Sequence, residues 1–137
     1  MTDERTALPL LFLIDATDAK AYGDGDLWPE SGPNRPSNAE KFIIAMTYGF
    51  KMNARVELKK SDPSFMVRSE YLKDDERALL YSIAVAAQKT LDVVLDGKQV
   101  ARIAEEYAHG GITRLVQRLS DTPEGTLWDD IEADVLD

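Results

Sequence analysis

A chain of 137 residues with 44% hydrophobic and 30% charged side chains has the make-up of one globular domain that buries a core without disulfide or metal. It has no cysteine, which excludes thiolate nucleophiles, disulfides and cysteine-based zinc sites. The net charge of -9 is concentrated after Arg118, where seven carboxylates follow with no Lys or Arg, so the broad basic footprint of a nucleic-acid binder is absent.

Residues 1–7 are polar and read as a frayed terminus. The apolar run from Leu8 to Ile14 is too short for the roughly 20 residues that cross a bilayer. Asp3 and Glu4 precede it where a secretory signal is basic, so a cytoplasmic protein is expected. Periodicity leaves this run open between a buried strand and the first turns of a helix. Gly23, Gly25, Gly32, Pro29, Pro33 and Pro36 then predict a long loop between Tyr22 and Pro36, a surface arm on the fold.

Ser37 or Asn38 caps the next helix, and Glu40 stands three residues after Ser37 in the spacing of a capping box. Phe42, Ala45, Met46 and Phe50 fall on one face of that helix, and Gly49 is expected to close it. Between Lys51 and Lys60, Val56 and Leu58 alternate with Arg55, Glu57 and Lys59, which predicts a short edge strand ended by Ser61, Asp62 and Pro63. Asp74 and Asp75 place carboxylates in the first turn of a helix that runs to about Lys89. Its apolar stripe is Leu79, Leu80, Ile83, Ala84 and Ala87.

After Leu91 to Leu95 and an Asp96-Gly97 turn, a helical period continues through Val100, Ile103, Ala104 and Tyr107. It resumes in Ile112, Leu115, Val116 and Leu119; Gly110-Gly111 between them either kink one helix or separate two. Thr122, Pro123 and Gly125 break the chain before a short acidic amphipathic helix carrying Trp128, Ile131, Val135 and Leu136. The fold class expected is mainly α, with α+β admissible: four to five helices and at most a small two- or three-stranded sheet. One domain is organised as an N-terminal segment and loop (1–36), a helical core (37–120) and an acidic helix (121–137).

No residue set reads as catalytic, cofactor-binding or metal-binding. His109 is the only histidine, and the glycines after it suggest a helix C-terminus, where an imidazole favours the negative end of the dipole. Asp15, Asp18, Asp24 and Asp26 invite a calcium reading, but their spacing fails the EF-hand pattern and a solvated loop is the simpler account. Glu105-Glu106 and Asp129-Asp130 read as surface charges, since helix neighbours point to different faces. The glycines form neither a Walker loop nor a dinucleotide fingerprint.

Two surfaces remain. Lys51, Arg55, Lys59, Lys60 and Arg68 form a locally basic region diluted by Glu57, Asp62 and Glu70, with Phe65 and Tyr71 as rings on which bases could stack. Trp128, Asp129, Asp130, Ile131 and Val135 join an apolar stripe to charge of one sign, a pattern suited to steering a basic protein partner. Either Trp28 or Trp128 can anchor the fold or a partner.

Four segments together resemble a known family. They are Asn38-Ala-Glu-Lys-Phe-Ile-Ile-Ala-Met-Thr-Tyr-Gly-Phe-Lys51, Arg77-Ala-Leu-Leu-Tyr-Ser-Ile-Ala-Val-Ala86 with Val94-Leu95-Asp96, Ala104-Glu-Glu-Tyr-Ala-His-Gly-Gly-Ile112, and the acidic end from Trp128. The resemblance is to the small accessory proteins encoded beside DNA phosphorothioation (Dnd) modification and restriction systems. It implies a phage-defence setting and a role beside larger nuclease, helicase or modification subunits, with no catalytic residues carried over; together with the empty catalytic inventory, a non-enzymatic accessory protein with no cofactor and no membrane segment is expected. Direct nucleic-acid contact through the basic region near Lys59 is the alternative, and a small metal-dependent hydrolase built on the Asp and Glu clusters is a third.

Overall fold

The structure, a computed structural model, describes residues 6–24, 27–28, 36–121 and 128. Among them the chain forms β1 (Leu11–Asp15), α1 (Ala19–Tyr22), α2 (Asn38–Lys51), β2 (Ser61–Arg68), α3 (Asp74–Gln88) and α4 (Gly97–Asp121). Short 3-10 turns at Ser69–Tyr71 and Leu91–Leu95 lead into α3 and α4. The fold is thus mainly helical, with a two-stranded antiparallel sheet, β1 beside β2.

The capping box at Ser37 is formed. Its hydroxyl accepts from Glu40 N–H at 3.2 Å, and the Glu40 carboxylate accepts from Ser37 N–H at 3.0 Å. At the start of α3 the same reach-back occurs from Glu76, whose carboxylate accepts from Lys73 N–H at 2.8 Å. The helix ends on Lys89, which adopts the left-handed conformation at φ 58° so that its N–H can bond Val85 O.

Long α4 packs chiefly against α2, and their backbones come into direct contact. A Cβ at Gly111 would fall on the carbonyl of Ala45, and one at Gly49 on the carbonyl of Tyr107. Hence Gly49 does not close α2, which runs on to Lys51. Gly110-Gly111 neither end nor divide α4, because their missing side chains are filled by a neighbouring backbone and the helical hydrogen bonds carry on through them.

The remaining apolar positions of these helices build the core: Phe42, Ala45 and Met46 from α2, Leu80, Ile83 and Ala84 from α3, and Val100, Ile103, Ala104, Tyr107, Ile112 and Leu115 from α4. Phe50 and Leu79, both expected on buried stripes, sit at the margin and are partly exposed. Phe12 stacks on Phe42 with ring centroids 4.9 Å apart, which fastens the sheet to α2.

Two expectations are overturned in the strands. Residues 52–60 do not form an edge strand; they cross to the sheet as irregular chain, with Asn53 in the left-handed region at φ 53°. The strand begins where Ser61, Asp62 and Pro63 were expected to end it. Pairing runs Leu11↔Arg68, Phe12↔Val67 and Leu13↔Met66, then shifts to Asp15↔Ser61, so Ile14 faces a stretch of β2 that bulges out of register. Pro63 lies in that bulge, where no ladder N–H is needed. The apolar run at the N-terminus resolves as strand because Phe12 and Ile14 are buried while Leu11 and Leu13 alternate outward.

Of the loop after Tyr22, the described residues 27 and 28 pack inward. Leu27 and Trp28 are buried, and Trp28 donates its indole N–H to Ala21 O at 2.8 Å. Gly25, Asp26, Pro29 and residues 30–35 lie outside the described residues, as do 122–127 and all of the acidic helix except Trp128.

Two measurements check this packing. Gly111→Ala should lower unfolding stability by about 3 kcal/mol or more in urea titration, as overpacking against a rigid backbone does, while Gly23→Ala, where a Cβ meets only Lys20 O at 3.8 Å, should stay within about 0.5 kcal/mol of the parent. Lys89→Gly should raise stability by about 1 kcal/mol, because glycine takes the left-handed cap without a Cβ clash.

Candidate functional site

The polar interior centres on His109. It lies in the middle of α4, not at a helix C-terminus, with its side chain 12% exposed. Its Nδ1 is 2.6 Å from Asp18 Oδ2 and its Nε2 is 3.7 Å from Asp15 Oδ2. Both carboxylates are buried, which corrects the solvated-loop reading of Asp15 and Asp18.

Asp15 ends β1 and Asp18 opens α1, so the tight turn between them delivers two carboxylates to one imidazole. Asp15 Oδ1 accepts from the Thr17 backbone N–H at 3.0 Å and from its hydroxyl at 2.7 Å. Its Oδ2 accepts from Lys59 N–H at 2.9 Å and, more distantly, from Lys60 N–H. Burial opposes ionisation of Asp15, yet the bonds from Thr17 and Lys59 together hold its carboxyl well below the usual carboxylate range. Asp18 has fewer donors: burial pushes it up to about 6, against the downward pull of His109.

This cluster cross-links three parts of the chain far apart in sequence: the β1–α1 turn, the irregular crossing before β2, and α4. Its chemistry is that of a clamp. The Thr17 hydroxyl is spent on Asp15, and both imidazole nitrogens face carboxylates, so no nucleophile is aligned with His109 as general base. Among the described residues no group of three or more His, Asp or Glu side chains is disposed to hold a metal ion.

Glu105 and Glu106 do leave α4 in different directions, as helix neighbours must, but neither is a simple surface charge. Glu106 is nearly buried and pairs with Arg55 at 2.7 Å, and the Arg55 guanidinium lies 5.8 Å over the Tyr107 ring. Glu105 accepts from the backbone N–H of Leu13 at 2.7 Å. Burial is the main cause that pushes its carboxyl up from 4.5 to about 7; the Leu13 bond opposes, Glu106 adds to the rise, and Arg102 opposes it.

The basic residues are distributed unevenly over these elements. Lys51 sits on the last turn of α2, Arg55, Lys59 and Lys60 on the irregular crossing, and Arg68 at the end of β2. Arg55 is held by Glu106, and Arg68 pairs with Glu70 at 2.8 Å while lying over the Tyr71 ring. Lys51, Lys59 and Lys60 are exposed. Phe65 is half-buried against Tyr22, with centroids 5.4 Å apart, so of the two candidate stacking rings only Tyr71 is turned outward.

Trp128 stacks on Trp28 at 6.1 Å and donates its indole N–H to Leu27 O at 2.6 Å, tying the end of the chain to the loop after α1. Asp129, Asp130, Ile131 and Val135 lie outside the described residues. Among the described residues, no helix is long and apolar enough to cross a membrane.

Residues 31–128 match the sequence profile of a family described as DNA sulphur modification system-associated protein 4. No curated protein and no solved structure matches the chain.

Two measurements test the site. His109→Ala leaves two buried carboxylates without their shared partner and should cost about 3 kcal/mol or more of stability, read by thermal or urea unfolding. For Glu105 the sign runs with protonation: the native chain holds this proton more tightly than the unfolded chain, so its contribution to stability declines as pH rises from 4.5 to about 7. Unfolding midpoints across that window should fall in the parent and lose that part of the fall in Glu105→Gln, which still accepts from Leu13.

Proposed function

The chain belongs to the family of DNA sulphur modification system-associated protein 4, and from that membership we propose that it is a non-enzymatic accessory subunit of a DNA-phosphorothioation-linked phage-defence system, acting in the cytoplasm through contacts with larger subunits. The single observation that carries the reading is the family match, which spans α2, β2, α3 and α4. The geometry supports it in one respect: the buried polar groups are engaged with one another as a clamp, and what the chain presents outward is surface. Leu10, Leu91 and Leu95 are largely exposed apolar side chains of the kind that partners cover. Asp129, Asp130, Ile131 and Val135, following the anchored Trp128, are further candidate contacts.

Direct DNA contact is the weaker reading, because Arg55 and Arg68 are each neutralised by a glutamate and only lysines remain unmatched on the crossing before β2. A duplex mobility-shift titration at low salt is expected to stay flat. Salt-steep binding lost in Lys59→Glu with Lys60→Glu would instead favour DNA contact. The principal test is affinity purification of the tagged chain co-expressed with the genes of its modification system. Recovery of at least one larger subunit in fixed stoichiometry is expected, and recovery of the chain alone overturns the reading.

A further inference from the structure

The sheet has one strand edge whose chemistry is unusual. Ser69 N–H donates to Leu10 O at 2.9 Å, and Phe12 pairs with Val67, so in the alternation of an antiparallel ladder the backbone groups of Leu10 and Phe12 face β2. Those of Leu11 and Leu13 therefore face the other way. Among the described residues no strand pairs there, since the sheet holds only β1 and β2. The Leu13 N–H is taken by a side chain, Glu105, at 2.7 Å.

The outward side chains of the strand are also out of keeping with solvent. A strand with one wet face normally carries polar residues on it. Here Leu11 is 37% and Leu13 40% exposed, and Leu10, just before them, is 83% exposed.

The carboxylate at this edge feels the charge of Arg102, one turn back on α4, but forms no direct ion pair. Its neighbour Glu106 is paired with Arg55, whereas the hydrogen bond of Glu105 is to a backbone N–H, and its burial and the Glu106 charge both disfavour ionisation. A half-buried carboxylate beside unpaired strand backbone and exposed leucines is complementary to an extended chain that brings its own positive charge.

We propose that the outer edge of β1 is a docking edge for an extended segment of a partner protein, one that carries a Lys or Arg between apolar residues. The inference rests on the protein-contact reading above and names the chemistry of the contact. On docking, a carbonyl of the segment takes the Leu13 N–H, the Glu105 carboxylate turns to the incoming cation, and the apolar side chains lie beside Leu11 and Leu13. An acidic strand is rejected, because it sets like charge beside Glu105 in a drier setting. The guard of the edge is thus also its selector.

The test uses the full chain and a short synthetic peptide of alternating Val and Lys, with a Val and Glu peptide as its counterpart, followed by amide hydrogen exchange. The Lys peptide should slow exchange at Leu11 and Leu13, and Glu105→Gln, shown by its thermal melt to be folded, should weaken that protection about tenfold, as loss of one desolvated charge pair does. Protection by both peptides, equal protection in Glu105→Gln, or none at β1 overturns the proposal; the last includes binding confined to the acidic C-terminal residues. Recovery of a larger subunit with exchange at Leu11 and Leu13 no slower than in the chain alone removes the docking edge and leaves the accessory role standing. Peptide protection at β1 without any recovered subunit does the reverse.

Discussion

The close approach of α2 and α4 is the constraint on which the other elements depend. Two helices separated by ordinary side chains leave their backbones apart; here Gly49 and Gly111 remove the side chains at the crossing, and each backbone presses on the other. That contact sets where the middle of α4 lies. His109, Glu105 and Glu106 are then carried, at fixed helical spacing, to the β1–α1 turn, the β1 edge and the crossing before β2.

The polar interior follows from that frame. A turn that gathers Asp15 and Asp18 is unfavourable inside a core unless something balances two carboxylates. Thr17, the amides of Lys59 and Lys60, and the His109 imidazole together provide that balance. The irregular stretch before β2 is ordered by the same oxygens, which explains how a segment without regular backbone pairing holds a defined path into the sheet. Aromatic contacts complete the arrangement at the other end: Phe12 on Phe42 joins sheet to helix, and Trp28 with Trp128 closes the loop after α1 against the end of the chain.

The His109 cluster holds the fold together. The interior histidine, which in another setting would draw attention as a catalytic base, has both nitrogens facing carboxylates, of which Asp15 is also held by the backbone N–H groups of Thr17 and Lys59. The family is defined by association with a DNA sulphur modification system. On the surface, β1 carries the exposed side chains of Leu11 and Leu13, with Glu105 bonded to its Leu13 N–H.

Neighbouring residues dictate the local features. The capping box at Ser37, the acidic first turn of α3, the apolar stripes of the helices and the mainly helical class depend on residues within a turn or two of one another, where spacing translates directly into geometry. The long-range pairings arise only once the chain is folded. His109 and Asp18 are 91 positions apart, Leu13 and Glu105 are 92 apart, and Arg55 and Glu106 are 51 apart. Glycines that read as helix breaks became contact points because another backbone filled the space beside them, and Ser61 to Arg68 became a strand because β1 supplied the partner that a strand needs. Asp15, directly after the apolar run and followed at two residues by a hydroxyl, carries the signal that could have pointed to a buried carboxylate. It did not name the histidine that completes the cluster, since burial and pairing are properties of the assembled fold and not of any one segment.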